Sequence, residues 1–89
     1  IEKAAEVICE RSGRCLTVRT DKPGIQFYSG NHIDAIQGKG GVVYRKRDGF
    51  CLETQFFPNS MKKKHFPSPV LRKGERYRFT TVYRFSTMK

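Results

Sequence analysis

Polar and apolar side chains alternate with a period of two in several short stretches of the chain, the pattern of strands with one face turned inward. It is clearest over residues 76–85, where Tyr77, Phe79, Thr81, Tyr83 and Phe85 fall on one side and Arg76, Arg78, Thr80, Val82 and Arg84 on the other. This predicts a long, half-buried strand. Near the other end, residues 4–10 and 14–20 predict a hairpin about Ser12-Gly13. Val7 and Cys9 share one face of its first strand, and Leu16 and Val18 one face of its second. A short helix over residues 1–7 competes for the first strand, because Glu2, Lys3, Ala4, Ala5 and Glu6 are good helix formers.

The middle of the chain is divided by turn residues. Asp21-Lys22-Pro23-Gly24 has the chemistry of a chain reversal, and Ile25-Gln26-Phe27-Tyr28 then reads as a strand with Gln26 and Tyr28 on one face. Residues 32–37 are expected as a loop or one helical turn, and Gly38-Lys39-Gly40-Gly41 as a flexible connector. Val42-Val43-Tyr44 begins a further strand, ended by Arg47-Asp48-Gly49. Residues 49–58, with strand composition and a proline stop, follow at once, so these two segments are expected to form a hairpin. Residues 58–72, with three prolines and a lysine run, predict an irregular surface loop that Gly74 closes.

About six strands and negligible helix place the chain in the all-β class, as an antiparallel β-sandwich. At 89 residues its core must be thin, and the open strand edges point to membership of a larger sheet.

Charge adds a question of partners. Eighteen Lys and Arg against eight Asp and Glu give a formal charge of +10, and basic clusters attract polyanions. Here they are dispersed as Arg45-Lys46-Arg47, Lys62-Lys63-Lys64, and Arg72-Lys73 followed by Arg76, Arg78 and Arg84, with no RNP-like, KH-like or zinc-finger pattern. They read mainly as a solvated face, with nucleic acid or another polyanion as the secondary partner class. The glycine-rich connector lacks the spacing of a phosphate loop.

No run approaches the roughly 20 apolar residues of a membrane helix, and no signal-like apolar run opens the chain. A soluble, cytoplasmic setting without a membrane partner is expected. The start at Ile1 points to a processed, trimmed or partial product. Cys9, Cys15 and Cys51 make neither a metal quartet nor an even disulfide framework. A Cys9–Cys15 bridge is conceivable across the hairpin, and free, mostly buried thiols are expected.

The candidate chemistry lies in Gly49-Phe50-Cys51-Leu52-Glu53-Thr54-Gln55-Phe56-Phe57-Pro58, where a carboxylate interrupts an apolar or neutral strand. Alternation turns Phe50, Leu52 and Thr54 toward a core and Cys51, Glu53 and Gln55 toward a polar cleft. A buried acid loses hydration and is a candidate working group; an edge-strand Glu paired with an arginine is the structural alternative.

Three segments in order, residues 23–31, 38–44 and 49–55, resemble the C-terminal third of the aldose 1-epimerases, the galactose mutarotases. Phe66-Pro67, residues 71–75 and residues 80–85 resemble the same family's closing loop and final strand. The resemblance runs from about Arg14 to Phe85 and implies that residues 1–89 are the C-terminal fragment of a single large β-sandwich domain. It implies interconversion of the α and β anomers of free hexoses such as galactose or glucose, with Glu53 as catalytic base and Gln26 as a sugar ligand; a carbohydrate-binding relative without turnover is the alternative that Gln26 and the aromatics permit. The chemistry asks for a base and an acid but no metal or organic cofactor. The family's acid is a histidine from an earlier segment, and neither His32 nor His65 matches it. The partners expected are therefore a hexose and a missing N-terminal region or companion chain, and Glu53 is expected to be buried beside a hexose pocket.

Overall fold

The computed structural model describes residues 1–88. It consists of β1 (Glu2–Ile8), β2 (Arg14–Thr20), β3 (Gly24–Tyr28), β4 (Ile36–Gln37), a three-residue 3-10 turn (Lys39–Gly41), β5 (Val43–Tyr44), β6 (Cys51–Gln55) and β7 (Thr81–Thr87). The fold is all-β, and its sheets are antiparallel: β1-β2-β7, β3-β6 and β4-β5. Among the described residues no helix is long and apolar enough to cross a membrane.

The N-terminal hairpin forms where the turn signal placed it, with Gly13 at a φ of 76° and its N–H donating to Cys9 O at 2.7 Å. The helical alternative for residues 1–7 gives way to pairing: Ala5 lies opposite Val18 and Val7 opposite Leu16, so cross-strand contacts outweigh helix propensity. A bulge between Lys3 and Ala5 lets Lys3 and Glu6 share the other face, where Lys3 Nζ lies 3.8 Å from Glu6 Oε1.

β2 is central. Its Leu16, Val18 and Thr20 lie opposite Phe85, Tyr83 and Thr81 of β7, and Val18 is fully buried. From this face, two hydroxyl groups reach β6. Thr81 Oγ1 lies 2.8 Å from Thr54 Oγ1, and the Tyr83 hydroxyl donates to Leu52 O at 2.8 Å. The two-stranded ribbon β3-β6 is smaller than the sheet it meets, so Tyr83 and Phe85 remain 47% and 78% exposed.

Several expectations are corrected. The strand predicted for residues 76–85 begins only at Thr81, because β2 ends at Thr20 and the Asp21-Lys22-Pro23-Gly24 reversal leaves the earlier residues without a partner strand. Thr80 N donates instead to Asp21 Oδ1 at 2.9 Å, and Lys22 Nζ stands over the rings of Tyr77 and Phe79 at 5.6 and 5.8 Å. Nor is β7 half-buried along its length, since only Thr81 is partly covered.

The expected hairpin between β5 and β6 does not form. Asp48 Oδ2 accepts from Arg45 N at 2.8 Å while Asp48 N donates to Arg45 O, so this turn carries the chain away from β5. β5 pairs with β4, within residues expected as a loop or helical turn, and β6 takes the longer β3 as its partner. Phe50, expected in the core, is 47% exposed beside Phe27, because it precedes the paired strand. The long loop after β6 is irregular as predicted, held by Phe57 against Phe66 and by the buried Ser60, whose hydroxyl donates to Phe57 O.

The cysteines are free, but they are not mostly buried: Cys9 and Cys51 are exposed and Cys15 is half-buried. Cys9 N donates to Arg14 O and Ile8 lies opposite Cys15, so the two thiols leave opposite faces of the hairpin and the conceivable bridge is ruled out. A hydrogen bond from the Ser12 side chain is the largest influence on the Cys9 thiol. With the Ser12 and Arg11 backbone and the Arg14 charge, it holds the thiol below the ordinary value.

Three outcomes are expected. A lower thiol pKa enlarges the thiolate fraction at a given pH, so Cys9 alkylation, followed by mass spectrometry, should reach half its maximum rate below the ordinary thiol pKa. Ser12→Ala should move that midpoint upward. Gly30, buried at a φ of 78°, would place a Cβ 3.2 Å from Gly49 O and 3.3 Å from Arg47 N. Gly30→Ala should therefore lower stability by about 1–2 kcal/mol, read from the denaturant midpoint.

Candidate functional site

The β3-β6 register sets Gly24 opposite Gln55, Gln26 opposite Glu53 and Tyr28 opposite Cys51. Directly opposed residues of an antiparallel pair project to the same side, with Cβ atoms roughly 4.5–5.5 Å apart. Gln26 and Glu53 therefore stand side by side on one face of the ribbon, continued by Tyr28 and Cys51. Ile25, Phe27, Leu52 and Thr54 occupy the reverse face; the Thr54 hydroxyl on that face and the main-chain carbonyl of Leu52 both meet β7.

Alternation along residues 51–54 follows the sequence pattern: Leu52 and Thr54 are partly covered while Cys51 and Glu53 are exposed. The expected burial of Glu53 is corrected: a ribbon of two strands supplies one wall, and the rings on its outer face, Phe57 against Gly24 and His32 on Tyr28, lie at its two ends and leave Glu53 exposed. Gln26 is likewise exposed, and its Nε2 makes only a long 3.5 Å contact, to Phe27 O. Both side chains present free hydrogen-bonding atoms. A carboxylate beside an amide can accept protons and hold a hydroxyl-rich ligand by complementary hydrogen bonds.

A cavity of about 310 Å³ lies beyond the Tyr28–Cys51 end of this face, with Ile33, Tyr44 and Phe50 among its largely apolar walls. Neither Glu53 nor Gln26 lines it, and its apolar walls offer a sugar few hydrogen-bonding partners. Tyr28 borders it and is fixed there: its hydroxyl accepts from His32 N at 3.0 Å, and the His32 ring stacks on the Tyr28 ring at 6.1 Å. His32 is thus tied to a loop contact, while His65 packs edge-on against Phe66 at 4.4 Å. Among the described residues no three His, Cys, Asp or Glu side chains gather as metal ligands.

Sequence reasoning put Gln26 with Tyr28, and Cys51 with Glu53, on shared faces of their own strands. It missed that the strands are partners, because the pairing crosses the whole of residues 29–50. The signal available was length, since β3 and β6 are matched five-residue strands and β5 has two residues.

Comparison with known proteins agrees with the resemblance. Residues 2–84 match the aldose 1-epimerase family. Galactose mutarotase of Sus scrofa is 54% identical over 76 residues, which are 84% of this chain and 22% of the relative. Galactose mutarotase of Homo sapiens is 51% identical over the same shares. Aldose 1-epimerase of Escherichia coli (strain K12) is 39% identical over 72 residues, 79% of this chain and 21% of the relative. The chain spans about a fifth of the length of these curated relatives. With 83 consecutive positions matched, it belongs to the aldose 1-epimerase family.

Proposed function

We propose that residues 1–89 are the C-terminal part of a single aldose 1-epimerase-like domain that interconverts the α and β anomers of free hexoses such as galactose or glucose. In this reading Glu53 is the general base and Gln26 a sugar ligand. The observation that carries it is the direct opposition of Gln26 and Glu53 on the open face of the β3-β6 ribbon.

The reaction requires two coordinated proton movements. The Glu53 carboxylate takes the proton from the anomeric hydroxyl as the C1–O5 bond breaks, and an acid protonates the ring oxygen. The product is an open-chain aldehyde. Rotation about C1–C2 exposes the other carbonyl face; closure by O5 then returns the proton from Glu53 to the new anomeric oxygen and one from O5 to the acid. Atoms and charge balance, with no redox partner. The acid is assigned to a histidine upstream of this chain, or to a companion chain, together with most sugar contacts. The isolated chain should accordingly be a weak catalyst.

Gln26 fits the ligand role because its amide offers both a donor and an acceptor to vicinal hydroxyls. Strand placement suits Glu53, since proton transfer needs a donor and acceptor held at hydrogen-bond distance. The cationic clusters fit a solvated face: their side chains are exposed, and the Lys3–Glu6 contact is the one ion pair among the described residues.

In the full-length protein carrying this chain, Glu53→Gln should slow anomer exchange of α-galactose, followed by polarimetry or NMR, by about 10²–10⁴-fold. Gln26→Ala should act mainly on KM, by up to about tenfold for one lost hydrogen bond. Galactose affinity should be nearly independent of salt, whereas a polyanion site would weaken steeply as salt rises. Undiminished exchange in Glu53→Gln would remove the carboxylate from the mechanism.

A further inference from the structure

The reverse face of the ribbon shows how the candidate base is held. We infer that Thr81 and Tyr83 of β7 are positioning residues for Glu53, acting through the two residues that flank it in β6. This deepens the proposed epimerase reading and rests on it.

Tyr83 donates its hydroxyl proton to Leu52 O at 2.8 Å. That oxygen belongs to the same planar peptide unit as the backbone nitrogen of Glu53, so tethering it orients the unit that enters the Glu53 Cα. Thr81 Oγ1 meets Thr54 Oγ1 at 2.8 Å and anchors the residue that follows. Glu53 itself points to the opposite face, so neither tether touches its carboxylate or competes with substrate. The two anchors sit two residues apart on β7, as their targets do on β6; one strand thus grips the other on both sides of the acid.

Thr81 is fixed in its turn. It lies opposite Thr20 in the β2-β7 ladder, with Thr20 Oγ1 3.2 Å from Thr81 Oγ1, and Thr20 is buried and donates to Thr80 O at 3.0 Å. The support under Glu53 therefore reaches the central strand of the larger sheet. Against this, the ribbon itself has only two strands, and such a pair is marginal without packing on one face. For a proton-transferring group, a displacement of about 1 Å can cost on the order of 100-fold in rate. A base on a ribbon this slight depends on what braces it from behind.

The test uses the full-length protein carrying this chain, with kcat and KM for galactose anomer exchange and thermal midpoints measured for each variant. Tyr83→Phe removes one oxygen from a half-exposed ring, and Thr81→Val replaces a hydroxyl by a methyl of similar size. Each should lower kcat about 10–100-fold with KM changed less than about twofold. Thr81→Ser, which keeps the oxygen, should restore most of the rate. A purely structural role would instead follow the thermal midpoint and leave kcat per folded molecule unchanged. Should Thr81→Val not fold, Tyr83→Phe decides alone.

If the wild type is active and Glu53→Gln is not, wild-type kcat in the folded variants overturns the positioning role and leaves the base assignment standing. A wild type without anomer exchange, or an undiminished Glu53→Gln, overturns the epimerase reading and this inference with it.

Discussion

A hydroxyl group carries one proton, and that count orients the contact joining the two main sheets. Thr20 spends its proton on Thr80 O and accepts from Lys22 N at 3.1 Å. The Thr20–Thr81 contact must then be donated by Thr81, which leaves Thr81 only an acceptor for Thr54. The chain of bonds runs one way, from Thr54 through Thr81 and Thr20 to the Thr80 carbonyl. It crosses from the ribbon into the larger sheet and ends where Asp21 secures the entry to β7. Serial hydroxyl bonds polarise one another, so the joint is stiffer than its separate contacts.

Such a joint matters because little else fixes the layers. Among the described residues Val18 is the one buried hydrophobic side chain, while Thr20 and Ser60 are buried polar ones. Every buried side-chain nitrogen or oxygen described has a hydrogen-bond partner. A chain with so little apolar burial takes its geometry from directional contacts, each contributing about 1 kcal/mol, and from ring edges such as Phe56 on Phe79 at 5.4 Å. The exposed ring of Phe85 and the open edges of β1 and β7 belong to the same condition: sheet area exceeds what the ribbon covers.

The local turns and several strands could be read from the sequence because their causes are local. Ser12-Gly13, the Asp21-Lys22-Pro23-Gly24 reversal and the proline-rich loop all encode their geometry within a few residues. The alternation through Cys51, Leu52, Glu53 and Thr54 likewise gave the faces of β6. Pairing was harder, since the choice between β3 and β5 as partner of β6 depends on a turn closed by the Asp48 side chain. Residues 76–80 alternate as a strand should, yet their partner leaves the sheet at Thr20, an event their own sequence does not register. Burial of Glu53 was unreadable for a similar reason: alternation names the face of a side chain, not what stands over it.

The opposition of Gln26 and Glu53 makes strand phase, rather than loop length, the property that evolution must preserve here. Residues 29–50 can gain or lose members with little effect on the pair, because closure entropy rises by only about 0.6 kcal/mol per doubling of a loop. One residue inserted or deleted within Gly24–Tyr28 or Cys51–Gln55 has the opposite consequence. It exchanges front for back and brings Leu52 or Thr54 to the place of the carboxylate. Length variation among homologues should therefore be confined to the connecting excursion, with both five-residue strands free of gaps.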